Sequence, residues 1–154
     1  MIDTPQVLRT PAQRVAALHI ETPRSKIQEV MGPGIREVMA AVQAQGIGPT
    51  GRWFAHHHKI TATHFAFGIC VPVSAPVTPV GRVKPGERPA LQVVRTVYRG
   101  GYEGLGGAWQ ALDRWTGTQG HKTASDLYEC YLVGPESGQD PSQWQTELSR
   151  PLVG

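Results

Sequence analysis

Glu129 is the residue whose type and setting point first to chemistry. It lies in Leu127-Tyr128-Glu129-Cys130-Tyr131-Leu132, a short aromatic and aliphatic run. Strand alternation places Leu127, Glu129 and Tyr131 on one face and Tyr128, Cys130 and Leu132 on the other. A carboxylate in such a strand faces either solvent or a pocket. In a pocket, partial desolvation makes it a seat for a cation, or a general base if its pKa is raised. The rings of Trp53, Phe54, Tyr98, Tyr102, Trp109 and Tyr131 are candidates for the wall of that pocket. Flat rings stack on flat scaffolds and attract cations to their faces. Core packing is the competing role for each ring, and it is the preferred role for Trp115.

Other residues rank lower. His56, His57 and His58 are consecutive, so in a strand His56 and His58 share a face while His57 points away. His64 is near, but no carboxylate or cysteine stands close in sequence to complete a ligand set of recognisable spacing. No metal site and no cofactor are expected, and His57 is read as a pocket residue. Glu103 complements a helix dipole. Glu147 is a second acid on a face that Gln145 and Ser149 make polar. No nucleophile elbow, phosphate loop or dinucleotide fingerprint occurs. Gly100-Gly101, Gly104, Gly106 and Gly107 are read as permitting close approach of a strand to a helix.

The elements that must position these residues repeat. Gln45-Gly46 precedes Trp53-Phe54-Ala55-His56-His57, and Gln119-Gly120 precedes Leu127-Tyr128-Glu129-Cys130-Tyr131; the offset is 74 in both (Gln45 to Gln119, Phe54 to Tyr128). Phe65 through Val73 matches Trp144 through Leu152 at an offset of 79. The second copy thus has a loop about five residues longer, an insertion of low entropic cost. Each copy reads as strand, helix, strand, strand. In the first, residues 13–20 alternate as a strand, 34–45 carry a helical apolar stripe stopped at Gly46, and 53–60 and 64–73 are strand-like. In the second, 91–98 is a strand and 102–116 a helix with Leu105, Ala108, Trp109, Leu112 and Trp115 on one face. Residues 127–133 and 144–150 supply two more strands. Residues 74–89, with Pro76, Pro79, Pro85 and Pro89, read as a linker. The fold class expected is α+β: two pseudo-symmetric repeats, about 11–75 and 91–154, joined by a linker of about 76–90 into one domain of 154 residues. One copy alone has a marginal core, so the two are expected to share one and to enclose the pocket between them.

Composition narrows the function. Net charge is +3 and the 15 Lys and Arg are scattered without a stripe, so direct nucleic-acid binding is not expected. Two cysteines, no secretion signal and no apolar run of membrane-spanning length point to a soluble cytoplasmic protein.

The order of motifs resembles the GyrI-like family across nearly the whole chain. Val94-Arg95-Thr96-Val97-Tyr98-Arg99-Gly100-Gly101-Tyr102-Glu103-Gly104-Leu105 resembles the start of that family's second repeat. Leu127-Tyr128-Glu129-Cys130-Tyr131-Leu132 resembles its Trp-Glu-x-Tyr-Leu strand, and Asp140 to Glu147 with Arg150-Pro151-Leu152 its closing segment. Residues 11–17, and 48–51 through 54–58, fit the first repeat. Four departures stand out: Tyr98 for a frequent His, Gly101 for Pro, Ala66 and Gly68 for frequent acids, Arg52 and Trp53 for paired prolines. Loss of the first-repeat acids leaves Glu129 as the main pocket charge.

The resemblance implies a stand-alone effector-binding module of the kind found in MerR- and AraC-type multidrug regulators. It would capture amphipathic aromatic or cationic compounds through Glu129, Tyr131, Tyr98, Tyr102, Trp109, Phe54, His57 and Trp53. A separate DNA-binding partner protein is compatible with that role. Two alternatives follow from the same family: a hydrolase of cyclopropane-bearing alkylating natural products with Glu129 and Tyr102 as its catalytic pair, and a gyrase-inhibitor-like interaction module.

Overall fold

A computed structural model describes residues 2–135 and 140–153. In chain order it contains β1 (Gln6–Thr10), β2 (Gln13–Pro23), α1 (Ile27–Ala44), β3 (Phe54–Ile60), β4 (His64–Pro72), β5 (Val83–Arg88), β6 (Leu91–Arg99), α2 (Leu105–Thr118), β7 (Lys122–Thr123), β8 (Leu127–Val133) and β9 (Gln145–Val153). The described chain is α+β, with two α-helices and antiparallel pairing within each of two compact units. One unit is Pro11–Ala90; the other joins residues 1–10 to 91–154. No described helix is long and apolar enough to cross a membrane.

In the Pro11–Ala90 unit the strands lie in the order β3-β4-β2-β5. Register pairs Ala16 with Val71, Leu18 with Ile69 and Ile20 with Phe67, all buried. This apolar face receives α1, which presents Val38, Ala41 and Val42. Each fully buried aliphatic side chain here contributes about 1.5–3 kcal/mol of apolar burial. Gly34 lets the helix approach closely, since a Cβ there would stand 2.6 Å from Ile69 Cδ1.

α1 begins at Ile27, seven residues before the sequence-predicted start, with Pro33 inside it. Met31-Gly32-Pro33-Gly34 reads as a breaker, but packing of the helix on its sheet overrides local propensity. The proline-rich stretch also differs from expectation. Within it, Val83–Arg88 forms an edge strand on β2, with Pro85 opposite Ala16. An edge position tolerates a proline because one side of the strand needs no ladder donor.

In the other unit the order is β1-β6-β9-β8, and β7 pairs with the end of β9. β1 was not foreseen; it pairs with β6 from Gln6 opposite Arg95 to Thr10 opposite Leu91. Val94, Tyr98, Leu127 and Leu148 from the sheet pack with Ala108, Trp109 and Leu112 of α2. The repeat is legible in the helix ends. Gly46 (φ 67°) and Gly120 (φ 78°) follow α1 and α2 in the left-handed region. Each closes the same pair of bonds: Gly46 N to Gln43 O and Ile47 N to Val42 O, then Gly120 N to Gly117 O and His121 N to Thr116 O. This is the glycine-dependent cap that satisfies the last carbonyls of a helix.

Candidate functional site in the Glu129 cluster

Burial along β8 does not alternate, because Tyr128 is buried like Leu127 and Glu129 on either side of it. Leu127 packs in the core against α2, and Glu129, two residues on, extends from the same face. Glu129 is buried, 7% exposed. Its carboxylate accepts a hydrogen bond from Trp109 Nε1 at 2.8 Å on Oε2 and one from the Tyr131 hydroxyl at 2.5 Å on Oε1. Both of these donors are neutral groups, and their bonds fix the orientation of the carboxylate.

Burial raises the Tyr131 pKa well above the usual phenol value, and the adjacent Glu129 charge raises it further. The phenol therefore remains a donor. Its ring meets Tyr102 edge-on at 5.9 Å, and Tyr102 lies 4.9 Å from Trp144. Tyr102 comes from the short 3-10 turn Tyr102–Gly104 that leads into α2. Trp144 precedes β9, behind a turn in which Asp140 Oδ1 accepts from Ser142 N at 2.9 Å. That bond holds the Asp140 carboxyl below its ordinary pKa.

Trp109 is fixed from two directions. Its N–H edge meets Glu129, and the Arg150 guanidinium lies 5.3 Å from its ring centre. Arg150 is held in turn by Asp113, one turn along α2, at 2.9 and 3.3 Å.

Four sequence candidates, Glu129, Tyr131, Trp109 and Tyr102, are thus gathered in one cluster. Tyr98 lies in the same unit with a structural contact: its hydroxyl donates to Gly101 O at 2.7 Å. A Cβ on Gly100 or Gly104 would collide with that hydroxyl, so these two glycines permit the close approach expected of the tract, whereas Gly106 and Gly107 have nothing within 4 Å and do not serve it. Trp115 packs against the core cluster. Trp53, Phe54 and His57 belong to the Pro11–Ala90 unit. Phe54 is buried with the Arg88 guanidinium 5.1 Å from its ring centre. His57 is buried between Phe65 at 5.5 Å and Phe67 at 5.2 Å. Trp53 is half-buried.

Sequence reading missed Trp144 and Arg150 as members of the cluster. The Asp140-Pro141-Ser142 turn before an aromatic was the available signal for Trp144. Nothing in spacing announced Arg150, which the β6–β9 register places opposite Val94.

An open hollow of about 370 Å³ in the Pro11–Ala90 unit is lined by Ala40, Ala41, Ala44, Val80 and Val83 with Glu37. It has no aromatic wall, and Glu37 is engaged by Arg82 at 2.7 Å, which lowers its carboxyl pKa.

Solved structures share this fold. The EcmrR C-terminal domain matches with a TM-score of 0.86 at 22% identity, over 97% of this chain and 97% of that one. The EcmrR–DNA complex matches at 0.86 and 23% identity over 97% of this chain, which spans 57% of the EcmrR chain there. SAV2435 bound to tetraphenylphosphonium matches at 0.68 and 12% identity, over 99% of this chain and 95% of that one. A hydrolase from Listeria innocua matches at 0.71 and 11% identity, over 97% and 91%. No curated protein matches the chain. The model of the GyrI-like small molecule binding domain matches residues 3–153, and the chain belongs to that family.

Proposed function

We infer that the Glu129 cluster is the ligand seat of a small-molecule binding module, and that its ligands are amphipathic aromatic cations. The observation that carries this reading is a buried carboxylate that accepts from Trp109 and Tyr131 beside the rings of Tyr131, Tyr102 and Trp144. Burial strengthens the attraction of a carboxylate for a cation, and the rings add stacking and cation–π contacts. SAV2435, a structural relative, was captured with tetraphenylphosphonium, an aromatic cation. Such a site selects by charge and shape, so a broad ligand range follows. Coupling to a DNA-binding element is part of the same reading, supported by the DNA complex of EcmrR.

The test is calorimetric titration of tetraphenylphosphonium and of a neutral aromatic of similar size against the wild type and Glu129→Gln. Loss of one charge contact of roughly 1.5–3 kcal/mol weakens the cation by about ten- to a hundredfold and leaves the neutral compound nearly unchanged. Equal loss for both compounds refutes the electrostatic role.

A second reading is hydrolysis. The 2.5 Å contact between the Tyr131 hydroxyl and Glu129 supports it, as does the likeness to a Listeria hydrolase. In this reading Glu129 orients or deprotonates a water, and a phenol such as Tyr102 donates to the developing oxyanion. Ring-opened product from a spirocyclopropane alkylator, above a heat-killed control, is the expected result. Its absence leaves the binding role alone.

A further inference from the structure

Thr146 of β9 is fully buried, and among the described residues no group pairs with its hydroxyl oxygen. Burying a hydroxyl without a bond is costly, and most buried polar side chains have a partner. Register fixes where this one lies. Thr146 stands opposite Tyr98 of β6 on one side and opposite Tyr131 of β8 on the other. Directly opposed residues share a face. That face carries Leu148, two residues along β9, into the core with α2. Neither phenol serves Thr146. The Tyr98 hydroxyl donates to Gly101 O at 2.7 Å, and that of Tyr131 to Glu129 Oε1 at 2.5 Å. Trp144 precedes Thr146 by two residues in extended backbone, and the rings of Trp144, Tyr102 and Tyr131 follow one another at 4.9 and 5.9 Å. β8 is irregular at the same point. Tyr131 pairs with Thr146 and Val133 with Gln145, which leaves Leu132 as an extra residue. Such bulges re-aim side chains and are over-represented beside active sites.

We infer that Thr146 is a ligand-contacting residue of the Glu129 cluster, and that it selects aromatic cations whose scaffold carries an amine N–H. The inference rests on the reading of that cluster as a ligand seat and adds a second recognition group of different chemistry. Glu129 attracts the charge, and the Thr146 hydroxyl accepts a hydrogen bond from the amine. A hydroxyl oxygen has two lone pairs and accepts without any change of protonation. Tyr102, Tyr131 and Trp144 are half-buried above a fully buried Thr146, so a ligand reaches the hydroxyl only as these rings turn aside. Rotamer changes of this kind are common on binding. The free chain already bears the desolvation of the hydroxyl. A ligand amine that pairs with it relieves that cost, and a ligand without one does not. This makes the contact a discriminating one.

The experiment is calorimetric titration of the full chain with a matched pair of cations, tetraphenylphosphonium and (4-aminophenyl)triphenylphosphonium, which differ by a single amine. The wild type is expected to bind the amino compound about three- to tenfold more tightly, the size of one net hydrogen bond. Thr146→Val keeps the shape of the side chain and removes the hydroxyl, so the ratio falls to near unity. Thr146→Ser keeps the hydroxyl and retains the preference. Thermal melts check the premise: Thr146→Val melts at or above wild type if the hydroxyl bonds nothing within the fold, and a fall of several degrees overturns the inference. Equal affinity of the wild type for both cations, or a wild-type preference in Thr146→Val, overturns it too and leaves the cluster reading standing. Failure of both cations to bind the wild type removes the cluster reading and this inference together.

Discussion

Removal of the indole donor from Glu129 tests the geometry of the cluster. Trp109→Phe keeps a ring beneath Arg150 but deletes the N–H that donates to Oε2 at 2.8 Å. A hydrogen bond to a charged group contributes roughly 1.5–3 kcal/mol, and a buried acceptor that loses its donor bears the desolvation cost. The smaller ring adds a modest packing loss, so the total is about 2–4 kcal/mol. In a chain of 154 residues each kcal/mol moves Tm by about 2–4 °C, which predicts a fall of roughly 5–15 °C. Packing loss alone could produce part of that fall, so the decisive assay is a double-mutant cycle with Glu129→Gln, measured by urea unfolding. The two residues share one bond, and a coupling energy of about 1–2 kcal/mol is expected. Effects that add to within about 0.5 kcal/mol refute the claim that Trp109 holds the carboxylate.

Three further outcomes follow. Gly104→Ala places a methyl group against the Tyr98 hydroxyl; overpacking of about 1–3 kcal/mol is expected, and Tyr98→Phe restores part of it, as thermal melts of the single and double variants would register. Arg150→Met removes the cover of Trp109 and the contact with Asp113. Asp113 is exposed enough to discount the ion pair, so the loss is about 1–2 kcal/mol, with a change in tryptophan emission that a mere surface charge change does not produce. Alkali destabilises the fold. Burial raises Tyr131 and Tyr98 above the usual phenol pKa and pushes the Cys70 thiol up to about 12. For groups raised on folding, the native state holds protons that the unfolded chain has released. The phenol contribution is therefore full below about pH 10 and lost as pH rises from there through the raised values, while that of Cys70 begins to fall from about pH 8.5. Urea midpoints across pH 8–12 should decline in that order; a flat profile contradicts it.

Much of this was legible in the chain because two periodicities and one repeat carry it. Alternation around Glu129 places Leu127, Glu129 and Tyr131 on one face; Leu127 joins the core with α2, and Glu129 accepts from Trp109 of that helix and from Tyr131. The Gln-Gly pairs that marked the repeat are the caps of both helices. Other features were hidden for physical reasons. Pro33 and its glycine neighbours look like a helix stop, yet the helix runs through them because Gly34 seats it on Ile69 and Ile20. Val83–Arg88 reads as a linker because Pro85 and Gly86 disfavour strands, yet an edge place on β2 accommodates both. Arg150 and Trp144 escaped notice because their roles depend on contacts across strands and turns.

The central claim is that Glu129 and its rings receive the ligand. A crystal structure of the chain with tetraphenylphosphonium tests it most directly. The account predicts the phosphorus centre within roughly 6 Å of the Glu129 carboxylate, with phenyl groups against Tyr102, Tyr131 or Trp144. A cation seated instead in the hollow lined by Ala40, Ala44 and Val80, with the Glu129 bonds to Trp109 and Tyr131 undisturbed and no density beside them, would contradict it.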